Sequence, residues 1–179
     1  GKIERLLHAR VVYATIPHSD HQDRLLRKAR PMARGLPLLA AEAPGDMAIE
    51  SLRSFRAALQ FSMPHFKNNI VMLCGPTRNL GKSFIAANLA AVVAASGKRV
   101  LLIDADLRHG HLHRYFGVDR ENGLTKAITG AESIDNVIYH DVVENLDFIA
   151  TGPLPPTRSE FLLHLNFAQL LSTVSVNYD

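Results

Sequence analysis

The residues with the clearest chemical signature form a glycine-containing loop followed by a lysine and a serine. Residues 70–83 read IVMLCGPTRNLGKS, with the loop running from Gly75 to Gly81 and followed by Lys82 and Ser83. Backbone N–H groups at the start of a helix are unpaired and carry partial positive charge, so they bind phosphate oxygens. A lysine adds a full charge there, and a serine hydroxyl is a Mg²⁺ ligand. The loop therefore predicts a nucleotide phosphate site.

The spacing of this loop is one residue longer than the usual G-x-x-x-x-G-K-[ST] pattern. Pro76 occupies the position expected for the first glycine, and Gly75 stands one residue earlier. An alternative is that residues 81–83 only cap a buried helix. On the phosphate-site interpretation, the nucleotide contacts the whole segment, which comprises Gly75, Pro76, Thr77, Arg78, Asn79, Leu80, Gly81, Lys82, Ser83 and Phe84.

Two aspartates follow a second apolar run, KRVLLIDAD, at residues 98–106. Side chains alternate between the two faces of a strand, so Asp104 and Asp106 leave the strand on the same side. Ligands bind outside the carboxyl ends of the strands in an open parallel sheet, where the phosphate loop also belongs. Two carboxylates at that edge can bind Mg²⁺ or accept a proton from an attacking hydroxyl.

The pattern of apolar residues predicts an α/β fold that positions both motifs. Asp46 is the expected N-cap of a long helix, and Cys74 is expected to be a small core residue at the end of a buried strand. We predict helices at 2–8, 21–30, 46–63, 82–96, 123–128, 133–139 and 159–172, and strands at 11–16, 70–73, 98–106 and 146–150.

Length and composition are typical of one soluble domain. The chain has 179 residues, a single cysteine, and no apolar run of the roughly 18 residues that a membrane span requires. Its net charge of +3 is uneven, because residues 1–34 contain eight Lys or Arg and three Asp or Glu. A basic segment of this kind fits an anionic membrane surface, a nucleic acid or a solvated face. No aromatic residues are interleaved to stack on bases, so nucleic acid is not an expected partner.

Three charged residues lie three positions apart on the helix predicted at 46–63. They are Glu50, Arg53 and Arg56. At this spacing they lie on one side of the helix, shifted slightly around it from one to the next, beside its apolar stripe. Spacing alone is compatible with ion pairing on a solvated face, which contributes about 0.2–0.5 kcal/mol a pair.

These motifs together resemble the bacterial tyrosine kinases, which are the cytoplasmic kinase domains of polysaccharide co-polymerases. The family's loop usually reads like GPTPGVGKS, which residues 75–83 follow with the same extra residue. Its second motif, three apolar residues and then D-x-D-x-R, is matched by residues 101–108. Its E-x-x-R-x-x-R helix is matched by Glu50, Arg53 and Arg56. The resemblance covers nearly the whole chain and implies a P-loop NTPase-like, mostly parallel sheet flanked by helices in a single domain.

The resemblance implies transfer of the ATP γ-phosphoryl group to a tyrosine hydroxyl, with ATP and Mg²⁺ as cofactors. Lys82, Asp104, Asp106 and Arg108 are the implied catalytic residues, and Ser83, Asp104 and Asp106 the implied metal ligands. Asp104 is expected to activate the tyrosine hydroxyl and Asp106 to lie at the metal, although these two roles are interchangeable. Arg108 is expected to orient the carboxylates or a neighbouring subunit.

The resemblance also implies partners and a location. Glu50, Arg53 and Arg56 would mediate a ring-shaped homo-oligomer in which the tyrosine-rich tail of one subunit enters the neighbour's active site. Further implied partners are the polysaccharide polymerisation and export machinery and an opposing tyrosine phosphatase. Residues 1–45 would be a basic juxtamembrane lead-in at the cytoplasmic face of the inner membrane. Residues 46–179 would be a kinase domain truncated before its third nucleotide motif, and hence weakly active.

Two other functions fit the same motifs. One is a nucleotide switch of the MinD/ParA type, although those ATPases carry a signature lysine five residues before the loop lysine, where this chain has Thr77. The other is a non-catalytic assembly module in which nucleotide only tunes oligomerisation. Phosphotyrosine formation distinguishes the kinase from both.

Overall fold

The computed structural model describes residues 14–28, 35–65, 67–75, 77, 80–154, 162 and 165–179. The helix predicted at 2–8 lies outside these residues, as does the first half of the strand predicted at 11–16, and residues 14–16 are not in a strand. The described helices are α1 (Asp20–Lys28), α2 (Leu39–Glu42), α3 (Met47–Ser62), α4 (Lys82–Ala94), α5 (His113–Phe116), α6 (Leu124–Thr129), α7 (Ile134–Val137) and α8 (Leu165–Ser175). The strands are β1 (Val100–Ile103), β2 (Ile138–Val143) and β3 (Leu146–Ile149).

The described strands form one sheet with the order β1-β3-β2. β1 and β3 are parallel, with Val100 opposite Leu146 and Ile103 opposite Ile149. β2 is antiparallel to β3 and is joined to it by a tight turn in which Asn145 has a positive φ of 62°. The α/β class and the strands predicted around β1 and β3 are therefore confirmed, although both strands are shorter than predicted.

The prediction of one helix over residues 133–139 is wrong at its last two residues. The helix there is the short α7, and the chain then enters β2 at Ile138. Ile134, Val137 and Ile138 have the spacing of a helical face, but β-branched residues also favour strands, and pairing with β3 decides the outcome.

The buried strand predicted at residues 70–73 is a second error. None of these residues is in a strand, and all four side chains are exposed, Met72 by 81%. Cys74 is also exposed, which contradicts its prediction as a core residue. An apolar sequence favours burial, but a strand forms only where a neighbouring strand supplies hydrogen bonds. No described segment pairs with residues 70–73.

Helix α4 lies at the centre of the packing. Its alanine-rich sequence lets neighbours approach closely on both sides. On one side, Leu89 and Val92 pack against Ile49 and Leu52 of α3. On the other side, its alanines pack against Phe148 of β3. The opposite face of the sheet is covered by α6 and α8, so the domain has helices on both sides of its strands.

Two polar side chains fix the segments around α4. Asp46 caps α3 as predicted, because its carboxylate accepts a hydrogen bond from the N–H of Ala48 at 2.8 Å. Asn88 of α4 is fully buried, accepts a hydrogen bond from the N–H of Ala40 at 2.8 Å and donates one to the carbonyl of Phe84. A buried amide must have partners for its donor and its acceptor, so Asn88 holds α2 against α4.

The last residues of the chain are bonded to the sheet. The hydroxyl of Tyr178 donates to Asp147 Oδ2 at 2.6 Å, and Asp179 Oδ2 accepts from the N–H of Arg99 at 2.8 Å. Partial burial alone would raise the pKa of Asp147, but hydrogen bonds from Tyr178, the Asp141 N–H and His140 outweigh it and lower the pKa. Within the described residues, no helix is long and apolar enough to cross a bilayer.

Replacing Tyr178 by Phe should lower the free energy of unfolding by about 1.5–3 kcal/mol at pH 7, because a hydrogen bond to a carboxylate is lost. The pKa of Asp147 is lower in the folded state than in the unfolded state. The ionised carboxylate therefore stabilises the fold above the unfolded-state pKa, and this stabilisation is lost as the pH falls through the folded-state pKa. The cost of the substitution should therefore shrink below pH 3.8, the ordinary value for aspartate. Urea unfolding followed by circular dichroism at several pH values measures both effects.

Tyr139→Phe is the matched control, since its hydroxyl donates to the carbonyl of Asp119 at an exposed position. Its cost should stay below about 1 kcal/mol and should not change between pH 7 and pH 3. Equal losses for the two variants would contradict the assignment of Tyr178 as the anchor.

Candidate active site

The end of the phosphate loop has the backbone that the sequence requires. Gly81 is the N-cap of α4 and has φ of 77°, in the left-handed region that favours glycine. The helix then begins at Lys82, and the N–H of Ile85 donates to the carbonyl of Gly81 at 2.8 Å. Because α4 has 13 residues and starts directly after the loop, its unpaired N–H groups are available to phosphate oxygens.

Lys82 folds back over the loop. Its Nζ donates to the carbonyl of Thr77 at 2.7 Å, and a Cβ added to Gly75 would lie 3.1 Å from the lysine Cδ. Gly75 is therefore suited to the close passage of this side chain. Three of the predicted binding residues, Pro76, Arg78 and Asn79, lie outside the described part of the chain.

Asp104 is held firmly at the end of β1. Its side chain is buried, and the residue is 3% exposed. Oδ1 accepts a hydrogen bond from the N–H of Asp106 at 3.2 Å, and Oδ2 accepts one from the N–H of Leu112 at 3.0 Å. Both oxygens are thus bonded to the loop that follows β1, so this carboxylate shapes that loop.

Asp106 lies at the surface of the same loop. Its Oδ1 accepts hydrogen bonds from the N–H groups of Arg108 and His109, each at 3.0 Å, while Oδ2 accepts none within the described residues. Partial burial alone would raise the pKa of Asp106, but these hydrogen bonds and the charges of His109 and Lys82 lower it below the ordinary value. The carboxylate is therefore ionised at neutral pH, and its Oδ2 is available to a ligand.

Four further predicted site residues lie in the phosphate loop, in the first turn of α4 and in the loop after β1. Ser83 and Phe84 are in the first turn of α4, and Phe84 also packs against the core between α3 and α4. Leu80 is exposed immediately before Gly81. Arg108 is exposed, and its backbone rather than its side chain holds Asp106.

The charged residues of α3 have two different environments. Arg53 is paired with Glu50 on the exposed side of the helix. Arg56 instead reaches α4, where its Nη1 donates to the carbonyl of Val92 at 3.2 Å. That carbonyl belongs to the last turn of α4, where a cation interacts favourably with the helix dipole. The expected interface residues therefore include one that joins α3 to the helix of the phosphate loop.

Three polar residues near the site were not predicted from the sequence. Arg120, Thr125 and Thr151 all have side-chain nitrogen or oxygen atoms that are buried and lack a hydrogen-bond partner within the described residues. Thr151 follows β3, and the rule that ligands bind at the carboxyl ends of parallel strands could have identified it.

The sheet, the phosphate loop and the paired aspartates define a nucleotide-binding α/β domain. In agreement, residues 71–149 match the family described as the CobQ/CobB/MinD/ParA nucleotide binding domain. EpsB of Ralstonia nicotianae is 52% identical over 168 residues, which cover 94% of this chain and 22% of EpsB. The chain therefore spans about a fifth of the length of this curated relative.

The chain matches a larger share of two solved kinase-domain structures than of EpsB. The BceF tyrosine kinase domain is 40% identical with a TM-score of 0.91, and the match covers 99% of this chain and 71% of that one. The kinase domain of the Escherichia coli tyrosine kinase ETK is 40% identical with a TM-score of 0.88, covering 97% of this chain and 68% of that one. This chain belongs to the bacterial tyrosine kinase family.

Replacing Lys82 by Met should weaken binding of Mg-ATP by at least roughly tenfold, because a charge-assisted contact to phosphate contributes about 1.5–3 kcal/mol. Isothermal titration calorimetry with a non-hydrolysable ATP analogue measures the dissociation constant. Lys126→Met is the control, since Lys126 lies on α6 and is not part of the loop. Unchanged affinity in Lys82→Met would exclude Lys82 from the phosphate site.

Replacing Arg56 by Ala should lower the free energy of unfolding by about 1–2 kcal/mol, because the contact with the end of α4 is lost. Arg53→Ala should cost less than about 0.5 kcal/mol, since exposed ion pairs contribute little. Denaturant titrations of both variants test this difference. A larger loss for Arg53→Ala would show that the contact of Arg56 with Val92 does not stabilise the fold.

Proposed function

We propose that this chain is the catalytic domain of a protein-tyrosine kinase, which transfers the γ-phosphoryl group of ATP to tyrosine hydroxyls. The proposal is supported above all by the phosphate loop, in which Gly81 has a left-handed backbone and leads directly into the 13-residue helix α4 with Lys82 as its first residue, together with the exposed Asp106 carboxylate in the loop after β1. A phosphate-binding cation and a free carboxylate oxygen at the same edge of the sheet are what phosphoryl transfer to a hydroxyl requires.

Phosphate binding is the role of the loop and the start of α4. The N–H groups that follow Gly81 would hold the β- and γ-phosphate oxygens, and Lys82 would exchange the Thr77 carbonyl for phosphate. In the transfer itself, the tyrosine oxygen bonds to the γ-phosphorus as the bond to the bridging β–γ oxygen breaks. Most of the rate enhancement comes from positioning and from stabilisation of negative charge.

The two aspartates would divide the remaining tasks. Ser83 and Asp106 fit Mg²⁺, since one is a hydroxyl at the start of α4 and the other has an unshared carboxylate oxygen. Bound Mg²⁺ would neutralise charge on the β- and γ-phosphates. Asp104 has both oxygens bonded to backbone N–H groups, so its chief role is to hold the loop in shape. We therefore favour Asp106 as the residue that also receives the tyrosine proton, either directly or through water.

Assembly and cellular context follow from family membership. A ring-shaped homo-oligomer would form through α3, with Glu50 and Arg53 exposed for contacts between subunits. The tyrosine-rich tail of a neighbouring subunit would be the acceptor, and Arg108 would contact that subunit. The full-length protein would act at the cytoplasmic face of the bacterial inner membrane, with the capsule or exopolysaccharide machinery and a tyrosine phosphatase as partners.

Phosphopeptide mass spectrometry of the full-length protein with Mg-ATP tests the proposed function. The parent should form phosphotyrosine, and Lys82→Met should not. Asp106→Asn should lower kcat by about 10²–10⁴-fold, the usual range for loss of a proton acceptor. ATP consumption without phosphotyrosine in the parent would instead favour a switch ATPase.

Asp104→Asn provides the contrast that separates the two aspartates. An asparagine amide in place of one oxygen would face a backbone N–H donor, so the free energy of unfolding should fall by about 1–3 kcal/mol. Asp106→Asn should leave stability nearly unchanged because that side chain is exposed. Equal stability of the two variants, with activity lost only in Asp104→Asn, would reverse the roles.

A further inference from the structure

A short turn after β1 carries the Asp106 carboxylate. It is closed by the N–H of Gly110, which donates to the carbonyl of Asp106 at 2.7 Å. Within the turn, Asp106 Oδ1 accepts hydrogen bonds from the N–H groups of Arg108 and His109. Gly110 is buried, whereas Asp106 is exposed. The place of the carboxylate therefore depends on where the buried end of the turn lies.

The buried end of the turn is in contact with Thr151. A Cβ added to Gly110 would lie 1.8 Å from Thr151 Oγ1 and 2.9 Å from Thr151 Cβ, which is closer than van der Waals contact allows. The φ of Gly110 lies outside the left-handed region, so the backbone conformation does not require glycine there. Glycine is required instead because Thr151 occupies the space that a side chain would fill.

Thr151 is itself fixed by the sheet. It is fully buried and lies two residues after the end of β3. Its carbonyl accepts a hydrogen bond from the N–H of Thr125 at 3.1 Å, and the preceding Ala150 forms a β-bridge with Gly123. A close-packed residue held in this way has little room to move, so a steric conflict with Gly110 must displace the turn.

The Thr151 side chain acts through its shape. Its hydroxyl oxygen is buried and has no hydrogen-bond partner within the described residues. An unpaired buried hydroxyl costs about 1–3 kcal/mol, so this group does not stabilise the fold by hydrogen bonding. The contact with Gly110 is what the side chain provides.

Asp104 and Thr151 act on different parts of the same loop. Asp104 accepts hydrogen bonds from the N–H groups of Asp106 and Leu112, and so holds both ends of the loop at β1. Thr151 fills the space beside Gly110, between those two ends. The carboxylate thus anchors the loop, and the threonine sets how closely the loop approaches the end of β3.

We propose that Thr151 is a positioning residue, which sets the place of the Asp106 carboxylate by packing against Gly110. This inference rests on the proposed kinase function, in which Asp106 binds Mg²⁺ and receives the tyrosine proton. Reacting groups must be held within about 0.5 Å of the productive geometry, and a misplacement of about 1 Å costs about 10²-fold in rate. Packing at the end of β3 therefore contributes to the rate through Asp106.

Alanine substitutions on the two sides of the contact test the proposal in the full-length protein. Gly110→Ala should lower kcat by about 10–100-fold, because the new Cβ displaces the turn. Thr151→Ala should lower kcat by up to about tenfold, because the turn loses its support. In the Gly110→Ala background, Thr151→Ala should instead raise kcat, since it removes the atom closest to the new Cβ. This change of sign in a double-mutant cycle is the signature of direct contact.

Affinity and a conservative variant separate positioning from a purely structural role. The dissociation constant of ATP in EDTA, measured by calorimetry, depends on the phosphate loop and should be unchanged in Thr151→Ala. Thr151→Val keeps the shape of the side chain and loses only the unpaired hydroxyl, so it should retain most of the parent's kcat. Gly45→Ala is the control for a glycine substitution, because a Cβ there would meet no atom within 4 Å. It should leave kcat unchanged.

Nuclear magnetic resonance of this chain reports on the turn without ATP. The N–H signals of Arg108 and His109 should shift in Gly110→Ala and return towards the parent in the double variant, because both groups donate to Asp106 Oδ1. Parent-like kcat in Thr151→Ala, or equal losses in Thr151→Ala and Thr151→Val, would overturn the proposal. If the parent forms no phosphotyrosine but the signals behave as expected, the kinase function fails while the contact that positions Asp106 stands.

Discussion

A buried carboxylate determines the shape of the site. Asp104 is removed from water at the end of β1, and a carboxyl group in that position is stable only if its oxygens are hydrogen-bonded. The N–H groups of Asp106 and Leu112 satisfy this requirement and draw both ends of the intervening loop towards β1. The loop then leaves the Asp106 side chain exposed to solvent. One constraint on solvation thus separates two neighbouring aspartates into a buried support and an exposed carboxylate.

Helix α4 connects the phosphate loop with the helix expected to form contacts between subunits. Its first residue is Lys82, and the carbonyl of Val92 in its last turn accepts a hydrogen bond from Arg56 of α3. Asn88, halfway along, fixes α2 to the same helix. The helix proposed to form subunit contacts is therefore bonded to the same helix that begins with the phosphate-loop lysine.

Sequence reasoning succeeded where short-range signals decide the structure. The cap at Asp46, the glycine before Lys82 and the apolar strand before Asp104 are all local, and each leads to an element that the structure contains. Sequence reasoning failed where secondary structure depends on strand pairing between distant parts of the chain, as for residues 70–73 and for β2. Arg120, Thr125 and Thr151 were also missed, because their segments are joined by a single bridge between Gly123 and Ala150 that no local sequence pattern indicates.

The exposure of Cys74 has a practical consequence. It is the only cysteine in the sequence, and it lies immediately before the first glycine of the phosphate loop. A maleimide fluorophore or a nitroxide spin label will therefore attach at one position without further engineering. Since the label would stand next to Gly75, over which the Lys82 side chain passes, its emission or spectral line shape will report whether nucleotide changes the loop.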